Sequence, residues 1–169
     1  MSFTARDAVA RQLGAAVTAL ENAIRACPPN VWGERIGPHE FWYLAFHTIF
    51  WLDCYATAEP ETYSPPSPYS LTEMDPAGLY PERVYSPDEL LAFLAGARAN
   101  AGRELLALTP ESAESRWKFH TYDLSRLEAF LNVTRHVQHH VGQLQLLLRQ
   151  GGAQPPRWVR SSALPGEQA

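Results

Sequence analysis

Apolar residues recur at spacings of three and four along most of the chain, and this periodicity predicts four helices. The first covers roughly residues 6–27, where Val9, Leu13, Val17, Leu20 and Ile24 form one stripe. Thr4, with Asp7 three residues on, makes an approximate capping box, and CPPN (27–30) ends the helix because proline cannot continue it. The second is expected to start near Pro38, with Glu40 at its positive end, and to run through HEFWYLAFHTIFWLDCYATA. Its apolar residues lie nearly all round, which predicts a buried helix. In the third, Ser86, Pro87 and Glu89 give a full start signal. Leu90, Leu91, Leu94, Ala97 and Leu105 form its stripe, and it should stop near Leu108. The fourth is predicted from about Leu124 to Gln150, ended by Gly151 and Gly152.

Between these elements the pattern is lost. Residues 59–85 are rich in Pro, Ser and Tyr and read as a long connection, with room for a short helical turn. Residues 109–122 read as a second connection, and 153–169 as a Pro-rich tail with a loose end, where Trp158 has the means to dock on the body. No segment alternates convincingly with a period of two. The expected architecture is all-α, a four-helix bundle with long crossover connections, built as one domain over 1–152.

Composition narrows the function. Hydrophobic residues are 46% of the chain and charged ones 19%, the balance of a globular protein. The formal net charge is -4, Lys118 is the only lysine, and no basic run suggests a nucleic-acid surface. The N-terminus lacks the apolar core of a signal peptide, and the apolar run near Phe41–Leu52 is too short to span a bilayer and is broken by His47. A cytoplasmic protein with neither nucleic-acid nor membrane partners is expected. Cys27 and Cys54 read as reduced packing residues rather than a redox pair.

The chemistry gathers in TRHVQHHVGQL (134–144). Successive helical residues turn by about 100°, which puts His140 about 40° from His136 on the same face, one turn on. His139 lies about 60° away in the other direction, on the polar side. A His pair at i and i+4 on a core-facing stripe can grip one ion, or can be a hydrogen-bonded pair at the core edge. His47 raises the same choice, because a lone imidazole in a Phe-, Trp- and Leu-rich helix is costly without partners. One site shared by His47, His136 and His140 accounts for all three most economically. Trp51 and Cys54 follow His47 on nearly the same face, as lining or core. Glu40, two turns before it, is a candidate supporting acceptor or base. His120 lies in a connection that has the reach to approach the bundle end, and His39 is expected to be solvated.

LAFHTIFWLDCY (44–55), SPDELLAFL (86–94) and RHVQHHVGQLQLLLRQGG (135–152) together resemble the DinB-like (YfiT-like) metal-binding four-helix bundles over most of residues 5–152. The resemblance implies a divalent metal at the end of the bundle, zinc or nickel first among the candidates, with His47, His136 and His140 as ligands. It implies that Gly142 admits a close helix and that Gln143 lies near the metal face as a supporting group or a surface cap. Three neutral imidazoles leave coordination positions open, which suits chemistry better than structure. By likeness to characterised relatives, the expected function is a metal-dependent transferase that activates a low-molecular-weight thiol for attack on an electrophilic small molecule. The alternatives are a metal-dependent hydrolase, a non-catalytic metal-binding stress-associated module, and a bundle with no metal. No catalytic residue is assigned. Tyr69, Tyr80, Tyr85 and Trp158 are candidates to line the mouth, and a homodimer is compatible with the aromatic-rich surface.

Overall fold

The computed structural model describes residues 4–36 and 39–166. The side chain of Thr4, with its expected cap, and Pro38, with the expected helix start, lie outside the described residues.

The chain is mostly helical, and four long helices carry it: α1 (Thr4–Ala26), α3 (Phe41–Ala56), α4 (Pro87–Leu106) and α6 (Arg126–Gln150). Single turns α2 (Pro29–Trp32) and α5 (Pro110–Ala113) lie in the connections. Helix α1 packs on α6 and α4, and α3 packs on α4 and α6, so the four surround one core. The stripe of α1 is buried as its spacing requires, from Val9 through Ile24. Every residue of α3 is buried except His47 and Trp51, which are half-buried. On this otherwise buried apolar helix the imidazole and the indole are the side chains most open to solvent.

The helix starts follow their caps. Ser86 with Glu89 opens α4, and Ser125 with Glu128 opens α6, each as a complete capping box. By contrast, α3 starts at Phe41. His39–Glu40 (β2) is extended and pairs with Arg35–Ile36 (β1), so the backbone there bonds across a hairpin before it can bond along a helix. At the other end of α3 the buried Arg126 guanidinium donates to the carbonyls of Tyr55 and Ala56. These are orphan acceptors at a negative helix end, where a cation is favoured.

The second connection differs from the expected plain loop. Arg116–Phe119 (β3) and Tyr122–Ser125 (β4) form an antiparallel hairpin. Trp117 and Phe119 point inward between exposed neighbours, a period of two over only four residues, too brief to stand out in the sequence. His120 sits in its turn with φ of 50°, exposed and packed on Phe119, away from the other histidines.

The long connection 57–86 contains two single 3₁₀ turns, Pro60–Thr62 and Thr72–Met74. Its aromatic residues fasten it to the helices. The Tyr63 hydroxyl donates to the buried Asp53 Oδ2 at 3.0 Å, while Asn100 Nδ2 donates to Oδ1 at 2.8 Å. Tyr69 stacks on Phe93 at 4.2 Å and donates to the Glu89 carbonyl.

The tail is partly docked, though not through Trp158, which is 70% exposed. Leu164 is buried instead. Thr18 Oγ1 donates to Ser162 Oγ at 2.9 Å, and Arg98 Nη2 to the Ala163 carbonyl at 2.9 Å. A Cβ at Gly14 would lie 2.1 Å from the Ser162 carbonyl oxygen, and one at Gly102 would lie 2.7 Å from that of Pro165. Only glycine lets the tail approach so closely. Gly14→Ala is therefore expected to lift the tail from α1 and cost about 1–3 kcal/mol, as overpacking does. Limited proteolysis around residue 160, read with a thermal melt, checks this; an unchanged melt and digestion pattern would contradict it.

Candidate metal centre

Two packed helices make the site. On α6, His136 and His140 are one turn apart, with ring centroids 4.4 Å apart. Helix α3 presents His47 to both, at 5.2 Å from His136 and 4.8 Å from His140. One nitrogen from each ring lies within 4.8 Å of one from each of the others, a group able to hold a metal ion. Nitrogens about 2.1 Å from one ion stand about 3.4 Å apart in a tetrahedral set, so small ring rotations complete the grip.

Hydrogen bonds orient the rings. His47 Nδ1–H donates to Glu73 Oε2 at 2.6 Å, and an ionised carboxylate can only accept, so the proton is on Nδ1. His140 Nδ1–H donates to the carbonyl oxygen of Gln143 at 2.6 Å. In the neutral ring this leaves the Nε2 lone pair of each residue available. His136 Nε2 is buried and has no hydrogen-bond partner in the protein. A buried nitrogen without a partner costs on the order of 1–3 kcal/mol, and a ligated ion removes that cost. Three free Nε2 atoms, two of them with the opposite nitrogen anchored, is the arrangement that imidazole ligands adopt. The donor set fits a divalent ion.

Charge favours the same state. Burial first, then the neighbouring His140 and His47, push His136 down to about 3. Burial and His47 push His140 down to about 4, against a smaller upward pull from Gln143. Both imidazoles are neutral at pH 7 and ready to donate. Burial alone would push the Glu73 carboxyl up, but the His47 pair and the bonds from Tyr43 and Trp51 outweigh it and hold it below its ordinary value.

Stability of the metal-free protein should follow these shifts. The folded His136 and His140 resist protons that the unfolded chain accepts below its ordinary histidine value, about 6.5. Their contribution is complete above about pH 6.5 and is lost as pH falls through that value toward about 3–4. The melting temperature of metal-free protein is expected to drop across that window, and His136→Phe should flatten the drop. An equal drop in the variant would contradict the assignment.

The remaining sequence candidates stand outside the triad. His139 is exposed on α6 and outside the triad. His39 bonds to the Tyr80 hydroxyl. Glu40 faces Arg35 at 3.9 Å, and the carboxylate beside His47 is Glu73. Cys54 is fully buried, and burial pushes its thiol up to about 12, so it acts as core. Trp51 Nε1 donates to Glu73 Oε2 at 3.1 Å. A Cβ at Gly142 would meet nothing within 4 Å, so among the described residues no element approaches it, contrary to expectation. Of the four mouth candidates, Tyr80 comes near, stacked on Tyr43 at 4.0 Å. Tyr69 and Tyr85 serve the connection, where Tyr85 Oη accepts from the Ser70 backbone, and Trp158 faces solvent.

Clefts flank the triad on two sides. One of about 210 Å³ is lined by His47, His140, Glu73, Tyr43, His39 and Thr72, among others. The other, of about 590 Å³, runs past His136 and His139 between Tyr55, Tyr122 and Arg135. Glu73 had no signal in the sequence, since its triplet Thr-Glu-Met has no helical or strand period and sits in the long connection.

Fold and site together define a mostly helical protein with a three-histidine site able to hold a metal ion. The family model of the DinB superfamily matches residues 6–144, and the chain belongs to that superfamily. Among solved structures, it is similar to a DinB-like protein from Bacillus cereus ATCC 10987. The TM-score is 0.66 at 14% identity, over 85% of this chain and 90% of that one, a likeness of fold. No curated protein matches the chain. No helix of the described residues is long and apolar enough to cross a membrane.

Proposed function

We propose that this protein is a divalent-metal-binding four-helix bundle with long crossover connections, and that it activates a low-molecular-weight thiol for attack on an electrophilic small molecule. The observation that carries the reading is the set of three imidazoles whose nitrogens converge, flanked by clefts on two sides. A structural metal site is usually closed by four protein ligands, whereas this one offers three. His47, His136 and His140 would hold the ion, zinc or nickel by ligand type. When bound, it would supply Lewis acidity, which lowers the pKa of a ligated thiol or water. Glu73 fixes the tautomer of His47, and Gln143 that of His140. The two clefts give two molecules separate approaches to one centre.

One observation favours a hydrolase instead. Glu73 lies beside His47 on the wall of the small cleft with Oε1 buried, in the place where a general base for water would be useful. The reading further takes 1–152 as one cytoplasmic unit acting on small molecules, without nucleic-acid or membrane partners, with a homodimer compatible. A panel of small thiols with an electrophilic test substrate, run with and without added metal, tests the main reading. Metal-dependent conjugation with at least one thiol is expected. Ester hydrolysis that needs metal, with conjugation absent for every thiol, would favour the hydrolase.

A further inference from the structure

The cleft beside His136 differs in charge from three other clefts among the described residues. The small cleft on the far side of the triad contains Glu73. A groove of about 630 Å³ between the long connection and α4 contains Asp53, and one beside His120 contains Glu61. The cleft of about 590 Å³ is lined by Tyr55, Tyr122, Asn132, Arg135, His136, Gln138 and His139, with no acid among them. In a chain of net charge -4 an acid-free, donor-rich concavity is a local departure that favours anions.

Its cation is also uncommitted. Arg25 pairs with Glu21, Arg83 with Glu89 and Arg116 with Asp123, while Arg126 caps α3. The Arg135 side chain makes no hydrogen bond or ion pair among the described residues. Arg135 and His136 line the same cleft, so a molecule held at the guanidinium lies beside one member of the triad. Asn132 is positioned by its own bond to the Tyr55 hydroxyl at 3.0 Å. The unpartnered, buried Nε2 of His136 belongs to the residue that joins this cleft to the centre.

We propose that this cleft is an anion subsite that takes a carboxylate of the small molecule used at the centre, with Arg135 as its specificity-determining residue. A guanidinium presents a planar fork of donors that matches two carboxylate oxygens, which a lysine or an amide does not reproduce. The carboxylate comes from either the thiol or its electrophilic partner. Only the thiol arm of the test rests on the function proposed above.

The test is titration calorimetry on full-length protein loaded with zinc, using two pairs of probes. 3-Mercaptopropionate is compared with its amide, and benzoate with benzamide. Wild type is expected to prefer a carboxylate over its amide by on the order of 10-fold, the scale of a charge-assisted pair. Arg135→Gln should bring that ratio close to one with amide binding unchanged, and Arg135→Lys should restore part of it. A preference in the mercaptan pair alone assigns the carboxylate to the thiol. A preference in the benzoate pair alone assigns it to the electrophile and keeps the subsite while removing support for thiol binding. Preference in both pairs shows a subsite that reads the carboxylate itself. Two outcomes overturn the proposal: no preference in either pair, or a preference that survives Arg135→Gln, as direct ligation of the carboxylate by the ion would give.

Discussion

His136→Ala is expected to abolish tight metal binding, taking the protein from close to one divalent ion per chain to none after dialysis. Three imidazoles meet at the site, and the two on α6 are held at one spacing by the helix itself. Removing one leaves two nitrogens on different helices and ends the chelate. The loss should exceed the 10–100-fold that changes in outer partners cost. The fold should survive, because the deleted ring carries a buried nitrogen with no partner in the protein. His139→Ala is the control, since that side chain is exposed and outside the triad. Elemental analysis of tag-free protein reads the metal, and circular dichroism reads the fold. A thermal melt adds a second measure: metal at 100 times its Kd should stabilise wild type by about 2.7 kcal/mol and leave the variant unchanged. Equal metal loss in His139→Ala would refute the ligand assignment.

Glu73→Ala should weaken metal binding on the order of 10–100-fold without eliminating it. One carboxylate oxygen accepts both His47 Nδ1–H and Trp51 Nε1–H, at 2.6 and 3.1 Å. Without it both donors lose their acceptor, and the His47 ring loses the bond that aims Nε2 at the other two histidines. Glu73→Gln keeps an acceptor oxygen but loses the charge, so its effect should be smaller. The graded order separates orientation from electrostatics. Because Glu73 lies in the connection 57–86, the alanine variant should also make that segment more open to protease. Competition titration with a chromophoric chelator gives the affinities, and identical Kd values for wild type and Glu73→Ala would remove Glu73 from the centre.

The helical skeleton was legible because its signals are local. The stripe of α1, the apolar girth of α3 and the Ser86–Glu89 box are each contained in a few consecutive turns. The start of α3 is less legible: Glu40 suits a first-turn acid, but the β1–β2 hairpin takes the backbone there and turns Glu40 toward Arg35. The β3–β4 hairpin was illegible for a different reason. Four alternating residues carry little pattern, and its stability comes from Trp117, which stacks on Tyr55 of α3 at 4.6 Å and donates to the Thr57 carbonyl at 3.0 Å.

Gly142 shows how a helical glycine misleads. The family resemblance implies a close neighbour at Gly142, yet the described chain puts none there, whereas Gly14 and Gly102 take the tail. Only the three-dimensional path of residues 159–166 distinguishes these cases.

The sequence by itself determined that His136 and His140 share a face and that His139 leaves it, because the helix turn alone settles that. It determined four long helices and a His47 in need of partners, because burial of an imidazole is costly wherever the helix packs. Only the tertiary structure decided that Glu73 rather than Glu40 supports His47, that Gln143 anchors His140, and that an unpaired Arg135 borders the cleft beside His136. These are contacts between segments far apart in the chain or set by a side-chain rotamer. They depend on how a 30-residue connection is fastened by its own aromatic residues, and no local periodicity encodes that.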